Sequence, residues 1–393
     1  MTIKRRVTVL GATGSVGTST LSLVKAAKAS GDADIAVEAV TANGNAEALA
    51  ALAIEHGAKF AAVCDERAGP VLKEALSGTG IEVGVGPEAV VEAGQRDADW
   101  VMAAIVGAAG IKPLLAAAER GADIAFANKE CLVCAGDAVL AAMKRGGGRL
   151  LPVDSEHNAI FQVFDFERPH RVRKIILTAS GGPFRERIRA ELKGITPAQA
   201  VAHPNWSMGA KISVDSATKK NKGLERIEAA YLIPVPHEKI EILVHPQSVI
   251  HSMVDYVDGS VLAQLGPPDM TIPIASTLAW PDRVPTPIEP LDLAQIGTMT
   301  FEPPDEERFP ALRQARESLD EGGLATAILN AANEVAVGAF LNGHLGFLDI
   351  ADVTDHCLQS TKAVGDPAAL EAVLAADAAA RNTASERIAA LAT

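Results

Sequence analysis

VTVLGATGSVGTSTLSL, residues 7–23, is the stretch on which the fold turns. An apolar run, VTVL, gives way to Gly11, Gly14 and Gly17, and a segment with helical spacing follows at once. Glycines between a strand and a helix let the backbone approach a diphosphate, while the helix N-terminus offers N–H groups and the positive end of its dipole. The spacing is GxxGxxG rather than GxGxxG, so the surrounding pattern has to carry part of the argument. It does: IAVEAVT (35–41), FAAVC (60–64), WVMAAIV (100–106), DIAFAN (123–128) and GRLLPV (148–153) read as further strands, separated by alanine-rich helical stretches. Alternation of this kind predicts a Rossmann-like parallel sheet, doubly wound, over residues 1–153.

After residue 153 the pattern changes. KIILTAS (174–180), EKIEILVHP (238–246), SVIHSMVDYV (248–257) and SVLAQLG (260–266) read as strands, with Asp258-Gly259 as a hairpin turn. Residues 154–280 therefore read as an α+β domain that carries catalysis. Prolines at 281, 285, 287, 290, 303, 304 and 310 predict an extended connector over 281–310, and residues 311–393 read as a helical bundle. The fold class is α/β and α+β, multidomain.

Composition narrows the functional classes. A formal charge of −13 argues against nucleic-acid binding, which leaves a basic footprint. An anionic small substrate would need a local basic pocket. Four cysteines in 393 residues cannot form a disulfide framework, and Cys131-Leu-Val-Cys134 has no second ligand pair, so it reads as small core residues. The N-terminus has no signal-peptide core, and the most apolar stretch, Trp100 to Ile111, is too short to span a bilayer. A cytoplasmic protein without a membrane partner is expected.

The second strand ends in TANGNAE (41–47), with Thr41, Asn43 and Asn45 where an NAD-binding protein places an acid for the ribose hydroxyls. Without that acid a 2′-phosphate is not repelled, which favours NADP. No Arg or Lys stands in the loop beside it.

PVDSEHNAIFQ (152–162) sets Asp154 and Glu156 two positions apart. On a strand both would point one way, and two hard oxygen ligands suit Mg²⁺ or Mn²⁺. A helix cap by Asp154 or Ser155 explains the same residues equally well. SVDSATKKNKGLERIEAA (213–230) adds Ser216, Asn221 and Lys222 before a helix expected to begin near Gly223, a set suited to phosphate, with Glu225 one turn further on. Lys219 and Lys220 read as a solvated basic rim. Ser180 in TASGGPF is another hydroxyl in a glycine turn, and Asn128, Lys129 and Glu130 end a Rossmann strand, the edge where such sheets bind ligands. His203 and Trp206, in AHPNWSMG, read as parts of a lid, whereas His245 and His251 read as structural.

Taken together, GATGSVG, AAIVGAAG, ANKE, LLPVDSEHNAIFQ, SGGPFR, HPNWSMG, KISVDSAT, NKGLE, HPQSVIHSMV, DGSVLAQLG, PDM and LNAANE closely resemble the 1-deoxy-D-xylulose 5-phosphate reductoisomerase family, from residue 7 to about 340. The resemblance implies a homodimeric enzyme using NADPH and Mg²⁺, Mn²⁺ or Co²⁺. Its reaction makes 2-C-methyl-D-erythritol 4-phosphate by retro-aldol cleavage, re-addition and hydride reduction, in non-mevalonate isoprenoid biosynthesis. It also implies that Asp154, Glu156 and Glu225 hold the metal, and that Ser180, Ser216, Asn221 and Lys222 bind the phosphate with His203 close by. Ser155 and Lys129 would meet the reacting end of the substrate, Lys129 joining the three carboxylates as a catalytic residue. Thr13, Gly14, Ser15, Val16, Asn45, Asn128, Glu130 and Gly209 would line the NADPH site, with Trp206 and Met208 closing the lid. Two departures are Gly44, where many relatives carry a basic residue, and Lys219 and Lys220, where relatives often have apolar ones.

Two other readings compete. A metal-dependent sugar-phosphate aldolase or hydrolase with a vestigial dinucleotide domain would want a nucleophile elbow or a second metal cluster, and the sequence has neither. A non-catalytic NADP-binding regulator would have no use for three carboxylates beside a phosphate pocket.

Overall fold

The structure is a computed structural model that describes residues 3–202, 209–362 and 364–391. Its chain forms two compact units. The first comprises residues up to Cys131, then Val139–Asn158 and Asp269–Glu289; the second comprises Leu132–Ala138, Ala159–Pro268 and the chain from Pro290 onward.

The first unit is built on seven strands: β1 (Ile3–Leu10), β2 (Ala33–Ala42), β3 (Phe60–Val63), β4 (Glu82–Val85), β5 (Trp100–Ala103), β6 (Asp123–Phe126) and β7 (Leu150–Pro152). They lie in the order β4-β3-β2-β1-β5-β6-β7, and every pair is parallel. Parallel strands covered on both faces must be apolar throughout, which explains why Val7, Val9, Leu10, Trp100, Val101 and Met102 are all buried. Six of the seven strands are legible as apolar runs. β4, EVGV, is not: it is four residues long, interrupted by Gly84, and becomes a strand only by pairing with β3. The helix Thr271–Ala279 belongs to this unit, where the Trp100 indole donates to the Thr277 carbonyl (3.2 Å) and Arg5 to that of Trp280 (3.0 Å).

The second unit holds a mixed sheet, β11-β10-β8-β9, made of β8 (Val172–Ala179), β9 (Ile240–Val244), β10 (Ile250–Tyr256) and β11 (Val261–Leu265). β8 runs parallel to β9 and antiparallel to β10. The Asp258-Gly259 turn forms as expected, with Gly259 at φ +90° and Tyr256 N–H bonded to Ser260 O at 2.9 Å. Val172, Ile175, Leu177, Ile240 and Val254 bury one face of this sheet against Ile160, Phe164, Ala229 and Ile233. Within the proline-rich connector, Glu302 bridges to Val244, and a short helix forms at Leu293–Ile296. The C-terminal helices are Ala311–Glu321, Ala325–Leu341, Asp349–Ser360 and Leu370–Leu391. Among the described residues no helix is long and apolar enough to cross a membrane.

Two local expectations need correction. Asp154 and Glu156 are not on a strand: β7 stops at Pro152 and a helix, Ser155–Val163, starts two residues after Val153. SVDSA is likewise helical, in Ala210–Ala217, and the next helix begins at Lys220 rather than near Gly223. Both errors have one cause. A polar residue that caps or enters a helix carries no periodicity, so the boundary is invisible in the pattern.

Candidate active site

At the switch point of the parallel sheet, where strand order reverses between β1 and β5, lies the glycine turn. Gly11 takes φ +87°, and a Cβ there would stand 2.7 Å from the Ala104 carbonyl oxygen. A Cβ on Gly17 would meet Gly11 O at 2.3 Å, so the helix Ser15–Ser30 can pack this close to the turn only with glycine. No side chain caps that helix and no acid occupies its first turn, while Gly14 and Ser15 are exposed. Thr13, Gly14, Ser15 and Val16 therefore present the unshielded helix N-terminus that a diphosphate needs.

The loop after β2 is exposed from Asn43 to Asn45. Asn45 caps the helix Ala46–His56, accepting from Ala48 N–H at 3.1 Å. Sequence reading missed a cation here. The β3 loop is tied to the β2 loop by Asp65 N–H to Asn43 O (2.9 Å), and it carries Arg67, whose side chain is 90% exposed and pairs with Asp65 at 2.8 Å. The loop beside the second-strand loop thus carries the basic residue that the latter lacks, a placement that only strand order could reveal.

ANKE ends β6 and opens the helix Lys129–Gly146. Asn128 is buried and its amide donates to Gly107 O at 3.0 Å and to Ile105 O, fastening the AAIVGAAG loop to the sheet edge. Glu130 is buried beside it. Lys129 Nζ lies 2.5 Å from Asp154 Oδ2, with both side chains nearly buried. His157 is wholly buried, its Nδ1 3.7 Å from Asp154 Oδ1. Burial alone would push the Asp154 carboxyl up, but the charges of Lys129 and His157 and hydrogen bonding by Glu156 and Lys129 outweigh it and hold the group far below the usual carboxylate range. Asp154 is also the helix cap: it takes Asn158 N–H on its carbonyl at 2.8 Å and Glu156 N–H on Oδ1 at 3.4 Å. Ser155 Oγ donates to Glu156 Oε2 at 2.6 Å. The cap and the pair of acids are one feature.

In the second unit, Ser180 starts a turn in which Gly181 and Gly182 take φ of +87° and +65°. Gly182 N–H reaches Ser180 Oγ at 3.2 Å, and a Cβ on Gly182 would stand 2.8 Å from Ser216 O, so the turn lies against the end of the helix Ala210–Ala217. Across the junction, Lys222 pairs with Glu225 and the Asn221 amide donates to it at 2.5 Å. Glu225 is 1% exposed. Ser180, Ser216, Asn221, Lys222 and Glu225 thus gather in one neighbourhood of the unit. Gly209 caps the helix Ala210–Ala217 through its backbone. His203, Trp206 and Met208 lie outside the described residues.

The basic rim is overturned. Lys219 is 7% exposed and Lys220 1%. Lys220 Nζ donates to Gln314 Oε1 at 2.8 Å, and burial pulls its pKa down to about 7. Of the two histidines read as structural, His245 directly follows β9 and His251 lies on β10. His245 is held between Thr300 O (3.0 Å) and Val249 N–H (3.2 Å), and burial lowers His251 to about 4, keeping it neutral.

Three family models cover most of the chain: 1-deoxy-D-xylulose 5-phosphate reductoisomerase over residues 7–136, its C-terminal domain over 150–233, and the DXP reductoisomerase C-terminal domain over 265–383. A 1-deoxy-D-xylulose 5-phosphate reductoisomerase of Rhodospirillum centenum is 58% identical over 388 residues, covering 98% of this chain and 95% of the relative. The chain belongs to the 1-deoxy-D-xylulose 5-phosphate reductoisomerase family. A second member of that family, from Caulobacter vibrioides, is 54% identical and spans 99% of this chain and 98% of its own. Among solved structures, the Zymomonas mobilis reductoisomerase in complex with NADPH superposes with a TM-score of 0.92 at 52% identity, covering 99% of each chain. A reductoisomerase in complex with NADPH, fosmidomycin and magnesium matches with a TM-score of 0.93 at 39% identity over 98% of this chain and 99% of that one. The Rossmann-like sheet and its glycine turn are therefore the family's own.

Proposed function

We propose that this chain converts 1-deoxy-D-xylulose 5-phosphate to 2-C-methyl-D-erythritol 4-phosphate with NADPH and a divalent metal, a step toward isoprenoid precursors. The observation that carries the reading is the Lys129–Asp154 pair, a buried carboxylate kept ionised at the C-terminal edge of a parallel sheet whose glycine turn is shaped for a diphosphate. Membership of the family over nearly the full length supports it. The aldolase or hydrolase alternative is not favoured.

The donor set fits the groups the reaction needs. Asp154, Glu156 and Glu225 offer hard carboxylate oxygens suited to Mg²⁺, Mn²⁺ or Co²⁺. When bound, the metal polarises the ketone and neighbouring hydroxyl of the substrate, and NADPH supplies the hydride. Lys129 holds a proton where charge develops on the reacting oxygen, and Asp154 keeps that ammonium in place. Ser155 orients the reacting hydroxyl. Ser180, Ser216, Asn221 and Lys222 hold the phosphate remote from the chemistry, so binding energy positions the reacting carbons. Thr13, Gly14, Ser15, Val16, Asn45, Asn128, Glu130 and Gly209 line the coenzyme site. The protein works as a cytoplasmic homodimer.

The decisive assay follows NADPH absorbance with deoxyxylulose phosphate, with and without Mg²⁺ or Mn²⁺. Metal-dependent oxidation is expected. Absence of oxidation, or full activity after exhaustive chelation, would overturn the reading.

A further inference from the structure

Lys219 is unexplained by everything above. It sits between the helices Ala210–Ala217 and Lys220–Leu232 in the left-handed region, φ +66°, which a non-glycine residue adopts only when its surroundings insist. Its Nζ is buried and, among the described residues, has no hydrogen-bond partner; it lies over the Phe309 ring, 4.8 Å from the centroid. A Cβ on Gly182 would stand 3.3 Å from that nitrogen, so the ammonium lies directly behind the Ser180–Gly182 turn. A cavity lined by Gly181, Arg185, Lys219, Lys222, Glu302 and Arg308 opens there.

The other cations of this cavity are committed. Arg185 pairs with Glu302 and Glu186, Arg308 with Asp305, and Lys222 with Glu225. Lys219 alone forms no ion pair among the described residues, Glu302 acting on it only from longer range. Burying an ammonium without a partner is costly, and such a group either loses its proton or waits for an anion. Burial, with Arg308, Arg185 and Lys222 nearby and only Glu302 opposing, brings its pKa down to about 7. A sugar phosphate carries close to two negative charges at neutral pH, since its second pKa is about 6. A merely structural lysine, tucked under the turn against Phe309, would be indifferent to that charge.

We propose that Lys219 is a further cation of the substrate-phosphate site, a positioning residue that takes up a proton from solvent as the phosphate binds. This rests on the reading that Ser180, Ser216, Asn221 and Lys222 hold the phosphate. The glycines of the turn are then what lets the buried charge come close: a side chain at Gly182 would stand between the ammonium and the turn. Because proton and phosphate binding are coupled, each must favour the other by the same factor.

The test uses the full chain with NADP⁺ bound and deoxyxylulose phosphate as the probe. Nuclear magnetic resonance of ¹³Cε-labelled lysine follows Lys219, its signal assigned by its loss in Lys219→Met. The expected midpoint lies near 7 in the free protein and rises by about one unit or more with substrate bound, a coupling of about tenfold. Calorimetry in buffers of different ionisation enthalpy should show net proton uptake in the wild type that Lys219→Met lacks, with binding weakened about fivefold or more. A midpoint that substrate leaves unmoved overturns the proposal, and it does so in the wild type, whether or not the variant folds. Ser180→Ala separates the two readings. If Ser180→Ala weakens binding while Lys219→Met binds and takes up protons like wild type, Lys219 alone loses its role. If neither variant alters binding, the phosphate site itself is misplaced.

Discussion

The two regions proposed to hold anions are built on opposite principles. The glycine turn of the first unit has no charged side chain in the first turn of its helix and offers only backbone N–H groups and a helix dipole. The Ser180–Gly182 turn of the second unit is backed by lysines, two of them at 219 and 222 and both buried. A nicotinamide coenzyme's diphosphate is charged at every accessible pH, so fixed dipoles suffice for it. A phosphate monoester titrates near neutrality, and a buried lysine with a similar pKa can meet it charge for charge. Backbone sites tolerate no side-chain insertion, whereas lysine sites tolerate isosteres but respond to pH.

That contrast can be broken at several points, and Glu225 is the harshest. Glu225→Gln should reduce turnover at least about a hundredfold, because it takes one of three carboxylates from the proposed metal site and so weakens the hold on the cation that would stabilise the developing negative charge. NADPH affinity, read by fluorescence quenching, should hardly change. Normal turnover in Glu225→Gln would remove it from the metal site and leave the second unit with a phosphate role only.

Gly17→Val attacks the backbone site. The added atoms would collide with Gly11 O and Ala12, so thermal unfolding should show a loss of about 3 kcal/mol or more. NADPH binding should fall with it. An undiminished melting temperature would show that the turn has room to yield and that its glycines serve flexibility instead of close approach.

Lys220→Met probes the lysine side. The ordinary lysine value is 10.5 and burial holds Lys220 at about 7, so between these values the unfolded chain binds a proton that the folded one has released. Wild-type stability therefore rises as pH climbs from 7 toward 10.5, and below 7 the fold carries the full burden of a buried charge. The methionine variant escapes that burden at the expense of one hydrogen bond to Gln314. Its gain in melting temperature should be greatest below pH 7 and shrink as pH rises through that window. A pH-independent difference would mean that Lys220 is not titrating in the fold.

The smallest effect is expected at the coenzyme's edge. Arg67 is largely exposed, and an exposed ionic contact is weak because solvent screens it. Arg67→Ala should weaken NADPH by about two- to fivefold and leave NADH unaltered, as measured by titration of both coenzymes. Equal weakening of the two would make Arg67 a partner of Asp65 and nothing more.

Much of this was readable in the chain. Six strands of the parallel sheet announce themselves because a strand buried on both faces has to be apolar along its length, and VTVL, FAAVC and WVMA are. The hairpin at Asp258-Gly259 follows from one residue's need for a positive φ. β4 stayed hidden because four residues with a glycine among them have no periodicity to detect. DSE was misplaced on a strand because capping and metal binding ask for the same oxygen atoms, and Asp154 serves as a cap in the fold. Lys219 and Lys220 looked like surface because lysine almost always is.

Residue chemistry and short-range pattern were thus set locally: which segments are strands, where the backbone must turn, and which side chains can hold oxygen, phosphate or a proton. Three features were decided only in three dimensions. Strand order placed Arg67 on the loop beside Gly44. The chain's return to the first unit set Thr271–Ala279 against Trp100. Packing closed over two lysines and lowered their affinity for protons. The physical reason is common to all three. Burial and proximity are sums over atoms distant in sequence, and no local pattern contains that sum.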